Sequence, residues 1–336
     1  MPMSAEALHA DLAEAFPDLL LDPAWGATTL EWAMPIPAPA YNFASLPTVS
    51  TRDPLADDPD LGVALARGEG LLADIRHGWR ETLAVDMTTG APDHIVILPG
   101  NSWLPIATAA MLGGFFVAML AGIYVVAPIF LIGTIWLGWR WAWTNGSRAD
   151  IGALPTGGGL SLPTSFEAQR TTGWWGSVFA LAASATLFAS LLFGYGFLWT
   201  IAPNWPPPAL IPPSLIVPLL AIGGAATAMI ASRAGRMPIA LAGHLAIIGA
   251  LILLLASAPS PSSHAYAATS AALAAYGIFH AGLAAVMVAF LMARAKAGFH
   301  SAARAGEPRI MRLWSDHGAG AGAFVAVLLV VPGWFA

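Results

Sequence analysis

The 336-residue chain is 57% hydrophobic and 10% charged, whereas an ordinary soluble chain is about 45–50% apolar and about 25% charged. That excludes an ordinary cytosolic enzyme, a disordered tail and a nucleic-acid binder. Residues 1–100 hold 15 of the 19 carboxylates and 4 of the 14 Lys/Arg, a net charge of −11; residues 101–336 hold 10 Lys/Arg and 4 carboxylates, a net charge of +6. The two parts are built for different solvents.

With no cysteine in the sequence, no disulfide, thiolate metal site, iron–sulfur cluster or cysteine nucleophile is available. The amino terminus has no basic start followed by an apolar run, so it does not read as a signal peptide. Ser4 is placed to cap a short helix that ends before Pro17. Residues 33–40, AMPIPAPA, carry prolines at alternate positions, which enforces extended, polyproline-like backbone. Residues 51–62 are acidic and turn-rich. The expectation for 1–100 is a largely irregular soluble segment that lies on something else.

Residues 94–139, 171–232, 237–293 and 317–336 contain no Asp, Glu, Lys or Arg. A membrane-spanning helix needs about 20 predominantly apolar residues. Proline and glycine punctuation divides these runs into seven predicted spans: 103–125, 127–143, 174–202, 210–232, 238–257, 267–293 and 312–335. The fold class expected is all-α: a polytopic membrane protein with seven transmembrane helices. Its divisions are a cytoplasmic segment (1–100), a two-helix hairpin (101–145), a cytoplasmic linker (146–173) and a five-helix bundle (174–336).

With seven spans, all ten basic residues of the membrane part fall on one side. The positive-inside rule makes that side cytoplasmic, with the amino terminus inside and the carboxyl terminus outside. Tryptophans gather at span ends (Trp136, Trp139, Trp141, Trp143, Trp174, Trp175, Trp199, Trp205 and Trp334), as an interfacial belt requires.

Ionisable groups inside a membrane are the natural functional candidates, and they are few. No carboxylate or amine falls mid-span, and the only lysine, Lys296, ends a span at the water boundary. A proton or ion pump and a retinal protein are therefore disfavoured. His244, His280 and His317 do not share a helix at i, i+3 or i+4 spacing. They read as neutral rings hydrogen-bonded to neighbouring helices rather than as haem or metal ligands. Small-residue runs at 223–232, 241–250 and 318–326 permit close helix approach.

Residues 172–199 and 205–213 (WPPPALIPP) resemble the third helix and following loop of cytochrome c oxidase subunit III. Residues 262–295 resemble its sixth helix, around a Phe-His pair at Phe279 and His280, and the run from Arg312 resembles its last, with Trp314 near the family's tryptophan. Residues 25–49, WGATTLEWAMPIPAPAYNFASLPTV, resemble the carboxyl-terminal tail of haem–copper oxidase subunit I, and 92–110 resemble the lead into two extra helices of extended subunits I. The chain thus resembles a subunit I tail joined to a subunit III body. It departs from the family at Ser184, where a glutamate is usual, at Leu283, where a second histidine is expected, and in the Trp-Ser-Asp-His run at 314–317.

The resemblance implies a two-plus-five bundle that does no redox chemistry, packs beside subunit I, holds phospholipid in a cleft and supports proton uptake. Haem and copper are implied on partner subunits I and II and no cofactor on this chain; the setting implied is the bacterial cytoplasmic membrane. Candidate lipid-cleft or interface residues are Arg140, Arg148, Arg170, Trp174, Trp175, Ser184, His244, His280, Trp314 and Asp316; candidate subunit I contacts are Glu31, Trp32, Tyr41 and Phe43. The alternatives are a seven-helix transporter, which would place polar groups and broken helices at mid-membrane, with Pro218 a candidate kink, and a membrane anchor whose acidic segment recruits a basic partner.

Overall fold

The computed structural model describes residues 28–33, 42–73, 80–145, 151–164, 171–202, 205, 214–300 and 306–331. The helix expected after Ser4, the proline-alternating stretch from 34 onward, residues 206–213 and Trp334 lie outside the described residues. The chain divides into two compact units, residues 1–103 with 151–166, and residues 104–150 with 167–336.

In the first unit, Leu30–Ala33 form a 3-10 turn, followed by short helices α1 (Pro54–Asp57) and α2 (Leu61–Ala66). The turn is tied to α1 because Leu55 N–H donates to Thr28 O at 3.0 Å, and Thr28 Oγ1 donates to Asp53 at 2.9 Å. Buried Ser45 donates to Leu65 O at 2.9 Å and accepts from Gly70 N–H at 3.1 Å, closing the backbone around α2. Strands β1 (Glu81–Val85) and β2 (Pro92–Ile97) pair antiparallel, with Leu83 opposite Ile95. Ile95 is buried there. Asp86 makes their turn by accepting from the N–H and hydroxyl groups of Thr88 and Thr89. These bonds to the charged form hold its carboxyl down to about 2.

Strands β3 (Ala153–Gly157) and β4 (Leu160–Pro163) form a second antiparallel hairpin. Its turn passes through Gly157, Gly158 and Gly159, all at positive φ, where any side chain would be strained. Leu72 N–H donates to Thr156 O at 2.7 Å, and β4 lies against β2. The segment expected as a cytoplasmic linker over 146–173 thus contains a hairpin whose partners lie far earlier in the chain, and residues 1–100, expected to be largely irregular, contain short helices and a strand pair.

The second unit is helical. Helices α3 (Leu104–Leu120) and α4 (Ala127–Asn145) pack on each other. They are followed by α5 (Thr172–Ile201), α6 (Ile216–Arg233), α7 (Met237–Ser257), α8 (Ala265–Lys296) and α9 (Gly306–Val330). Helices α5 to α9 are each long and apolar enough to cross a membrane, and several such helices suggest a multi-pass membrane protein. At about 1.5 Å per residue, the 32 residues of α8 extend about 48 Å, more than the ~30 Å hydrocarbon core requires.

The packing is tightest among α6 to α9. A Cβ on Gly243 would stand 2.6 Å from Gly224 O and 2.6 Å from Ala228 N, so α6 and α7 touch backbone to backbone. Their core contains Ala221, Ile247, Leu251, Leu273 and Leu329. Pro218 does not kink α6. It stands in the first turn, where a missing N–H leaves no helical bond unmade. Helix α5 has its most apolar stretch wholly unburied within the unit, with Phe179, Leu187, Phe193 and Phe197 exposed.

Candidate functional site

The second unit holds its polar side chains in three places. The first is a node between α5, α8 and α9. Ser184 Oγ lies 2.7 Å from His280 Nε2 and 2.9 Å from the Tyr276 hydroxyl. Tyr276 in turn lies 2.9 Å from His317 Nε2 and donates to Ser184 O at 3.1 Å. His280 Nδ1 faces Tyr276 O at 3.0 Å, and a carbonyl can only accept. A neutral His280 therefore carries its proton on Nδ1, and its Nε2 accepts from Ser184. The Tyr276 ring lies between the Phe188 ring at 4.7 Å and the His280 ring at 4.1 Å, with the two histidine rings 4.9 Å apart. The node joins Ser184, the position at which the sequence departs from the family's glutamate, to His280.

The second place is the end of the unit where α4 finishes and α9 begins. Fully buried Arg294 pairs with Glu307 at 3.0 Å and lies 4.2 Å from the Phe299 ring centroid. It also donates to Ala142 O at 3.4 Å, satisfying a carbonyl in the last turn of α4. Trp139 and Trp143 pack edge-on against Phe290 at 5.0 and 6.0 Å, and Trp143 meets Phe299 at 5.1 Å. These tryptophans were expected as an interfacial belt; they also clamp α4 to α8. His300 approaches Glu307 at 3.5 Å. Further along α9, Asp316 is gripped by Arg233 through two bonds of 2.9 and 2.7 Å, tying the end of α6 to α9.

The third place is the opposite end, where Tyr195, Trp205 and Tyr266 form a buried aromatic triangle. Tyr266 donates to Leu329 O at 3.3 Å, and His264 Nδ1 accepts from Tyr266 N–H at 3.0 Å, capping α8.

The other candidates fall elsewhere. Buried His244 is bonded to Ser315 at 2.9 Å, so it ties α7 to α9. Trp174 and Trp175 stand in the first turn of α5, edge to face at 4.9 Å, beside the Thr171 cap. Trp314 is half-buried on α9 and Arg140 is exposed on α4. In the first unit, Glu31 and Trp32 are exposed in the 3-10 turn and Phe43 is half-buried. Arg148, Arg170 and Tyr41 lie outside the described residues.

Tyr276, Ser315, Arg233, Arg294 and Glu307 were not singled out as site residues from the sequence. The charges carried a usable signal: with four carboxylates in residues 101–336, each needs a cation where water is scarce. Tyr276 carried none, because a tyrosine in an apolar helix reads as core. Among the described residues no group of three or more His, Cys, Asp or Glu converges as a metal site. The hydrogen bonds and ion pairs of these side chains tie helices to one another.

Five apolar helices, bound by buried hydrogen bonds and end-on ion pairs, suggest a multi-pass membrane protein. No protein-family profile matches the chain. Over 31 residues it is 62% identical to cytochrome c oxidase subunit 1 of Alkalihalophilus pseudofirmus. That stretch is 9% of this chain and 5% of that protein, so the match spans only a small part of its relative. It supports a relation to the haem–copper oxidases.

Proposed function

We propose that this chain is a non-catalytic membrane subunit of a respiratory haem–copper terminal oxidase. In this reading it combines a subunit I-like tail with a subunit III-like body that packs beside the haem-bearing subunit I. The observation that carries the reading is the 62% identity over 31 residues to an oxidase subunit 1, in a chain that also has five apolar helices. Helices α3 and α4 are two further spans, giving seven arranged as two plus five. The chain leaves its first unit at Trp103 and rejoins it at Ile151, which supports an out-and-back excursion through the bilayer. The α3–α4 pair meets the five-helix group through the Trp139, Trp143 and Arg294 contacts. The space between them is the cleft for phospholipid tails, with Arg140 at its rim to hold a headgroup phosphate. Haem and copper belong to the partner subunits I and II. The complex sits in a bacterial cytoplasmic membrane and its proton uptake is supported by this subunit.

One observation favours a second reading, a membrane anchor: residues 1–103 with 151–166 form a compact unit of their own, as a recruiting module would. Purification in a gentle detergent with an absorbance spectrum and subunit analysis separates the two. The oxidase reading expects haem bands and subunits I and II to travel with this chain, and the bands to vanish when it is stripped from them. Haem retained on the stripped chain, or a complex with a basic soluble protein and no haem, overturns it.

A further inference from the structure

Arginines outnumber carboxylates at one end of the five-helix group. Asp316 on α9 accepts both bonds from Arg233, at 2.9 and 2.7 Å, and Glu307 is held by Arg294 at 3.0 Å. These two are the only carboxylates in residues 171–336, so none of them is left for Arg236 or Arg312. Arg312 is half-buried, and its Nε is shielded from solvent with no hydrogen-bond partner among the described residues. A charge withdrawn from water without a partner is costly, and an unpaired buried polar atom calls for a group that completes it.

Helix geometry sets where Arg312 stands. Residues 309, 312, 316 and 320 are spaced so that they share one face of α9. Asp316 reaches Arg233 at the end of α6, and a Cβ on Gly320 would stand 3.8 Å from the Met229 side chain of the same helix. That face therefore looks at α6, with Arg312 one turn from Asp316 towards the start of α9 and Arg309 a turn further. Arg236 N–H donates to Ala231 O at 2.8 Å, which folds the α6–α7 turn back and leaves the exposed Arg236 at the same end of α6. Met311, next to Arg312 in the chain, is buried with Ala231 and Ala240, so the start of α7 meets α9 here as well.

The chemistry selects the ligand. A guanidinium fork matches the oxygens of a phosphate. The corner lies where apolar helices end, and exposed Ile230 and Ile239 flank its turn, so apolar surface adjoins the charge. A soluble phosphate would use the charge alone, whereas a phospholipid uses both. An arginine surplus favours an anionic head over a zwitterionic one, which brings a cation of its own. We propose that Arg312 holds the headgroup phosphate of an anionic phospholipid at the corner of α6, α7 and α9, with Arg236 adding to the attraction. This site is separate from the cleft assigned to Arg140. It needs a bilayer around α6 to α9 and stands whether or not the oxidase reading does.

The test uses the full-length chain in a neutral detergent, titrated with phosphatidylglycerol, phosphatidylcholine or inorganic phosphate. Native mass spectrometry should show phosphatidylglycerol held more tightly than phosphatidylcholine. Arg312→Gln should weaken phosphatidylglycerol binding about fivefold, and Arg236→Gln, at an exposed site, by a smaller factor. Lys296→Gln removes the same charge from the end of α8 and should leave binding within about twofold. Without lipid, Arg312→Gln should melt at or above the temperature of the parent, because an unpaired cation has been removed. With phosphatidylglycerol present the parent should gain more than the variant. Equal phosphatidylglycerol binding by the parent and both arginine variants overturns the proposal, as does phosphatidylcholine bound equally well. Inorganic phosphate stabilising the parent as much as phosphatidylglycerol would mark a site for soluble phosphate instead. A lipid-free Arg312→Gln that melts below the parent would show that Arg312 already has its partner within the protein, which also overturns it.

Discussion

Arg294 illustrates how a charge can be held at the edge of an apolar bundle. Its side chain is fully buried, so its desolvation must be offset by close partners. Glu307 supplies the counter-charge at 3.0 Å, Phe299 a ring face at 4.2 Å and Ala142 a helix-end carbonyl at 3.4 Å. Arg233 and Asp316 form a bond of similar length but are 56% and 35% exposed, where water and salt already stabilise the separated charges. Like substitutions at the two sites should therefore differ. Arg294→Met should cost about 3 kcal/mol, since it removes the buried counter-charge from a carboxylate that is only one-third exposed. Arg233→Met should cost at most about 1 kcal/mol. Unfolding titrations of the full-length chain in mixed micelles check both. The double variant Arg294→Met/Glu307→Leu should recover most of the loss, because charge and counter-charge are then removed together. Equal losses at the two arginines would show that burial does not set the value of the pair.

Individual helices stand or fall on the small residues at their crossings. Gly243 on α7 has the backbone of α6 within 2.6 Å of where a Cβ would sit, whereas Gly249 on the same helix has open space. Gly243→Leu should therefore destabilise by about 1–3 kcal/mol through enforced separation of the helices. Gly249→Ala should leave stability unchanged or raised, given alanine's higher helix propensity; matched unfolding titrations again provide the check. This close-packing role was legible in the sequence as runs of Gly and Ala, and the helices themselves as runs without charge. Their ends were less so. The last helix begins at Gly306, not near 312, because Glu307 and Arg309 look like loop residues until Glu307 is seen paired with Arg294. The β3–β4 hairpin was hidden for a different reason: its stabilising contacts reach back to Leu72 and β2, and no local pattern encodes so distant a partner. The polar node was half legible. The histidines were noticed and expected to bond neighbouring helices, and Ser184 was marked as a departure; Tyr276, which connects them, had no distinguishing pattern.

At the scale of the whole molecule, connectivity and charge lead to one topology. The first unit contains residues both before α3 and after α4, so, if α3 and α4 are spans as proposed, the excursion between them begins and ends on the same side of the bilayer. Arg233 ends α6 and Arg236 follows in the turn, and α8 ends on Arg294 and Lys296, whereas the link between α7 and α8, residues 258–264, carries no Lys or Arg. In the proposed arrangement the positive-inside rule would put the first unit and the α6–α7 turn in the cytoplasm and the α7–α8 link outside. The absence of native cysteine makes this directly measurable, because any single introduced thiol reports alone. Thr88→Cys in the β1–β2 turn, Ser161→Cys in the second hairpin and Ala234→Cys after α6 should react with a membrane-impermeant maleimide only after the cells are opened. Ser262→Cys in the α7–α8 link should react in intact cells. Labelling of Thr88→Cys and Ser161→Cys from opposite sides would mean that α3 and α4 cross an odd number of times. It would remove the seven-span arrangement and, with it, the physical basis for placing this chain beside an oxidase core as a two-plus-five body.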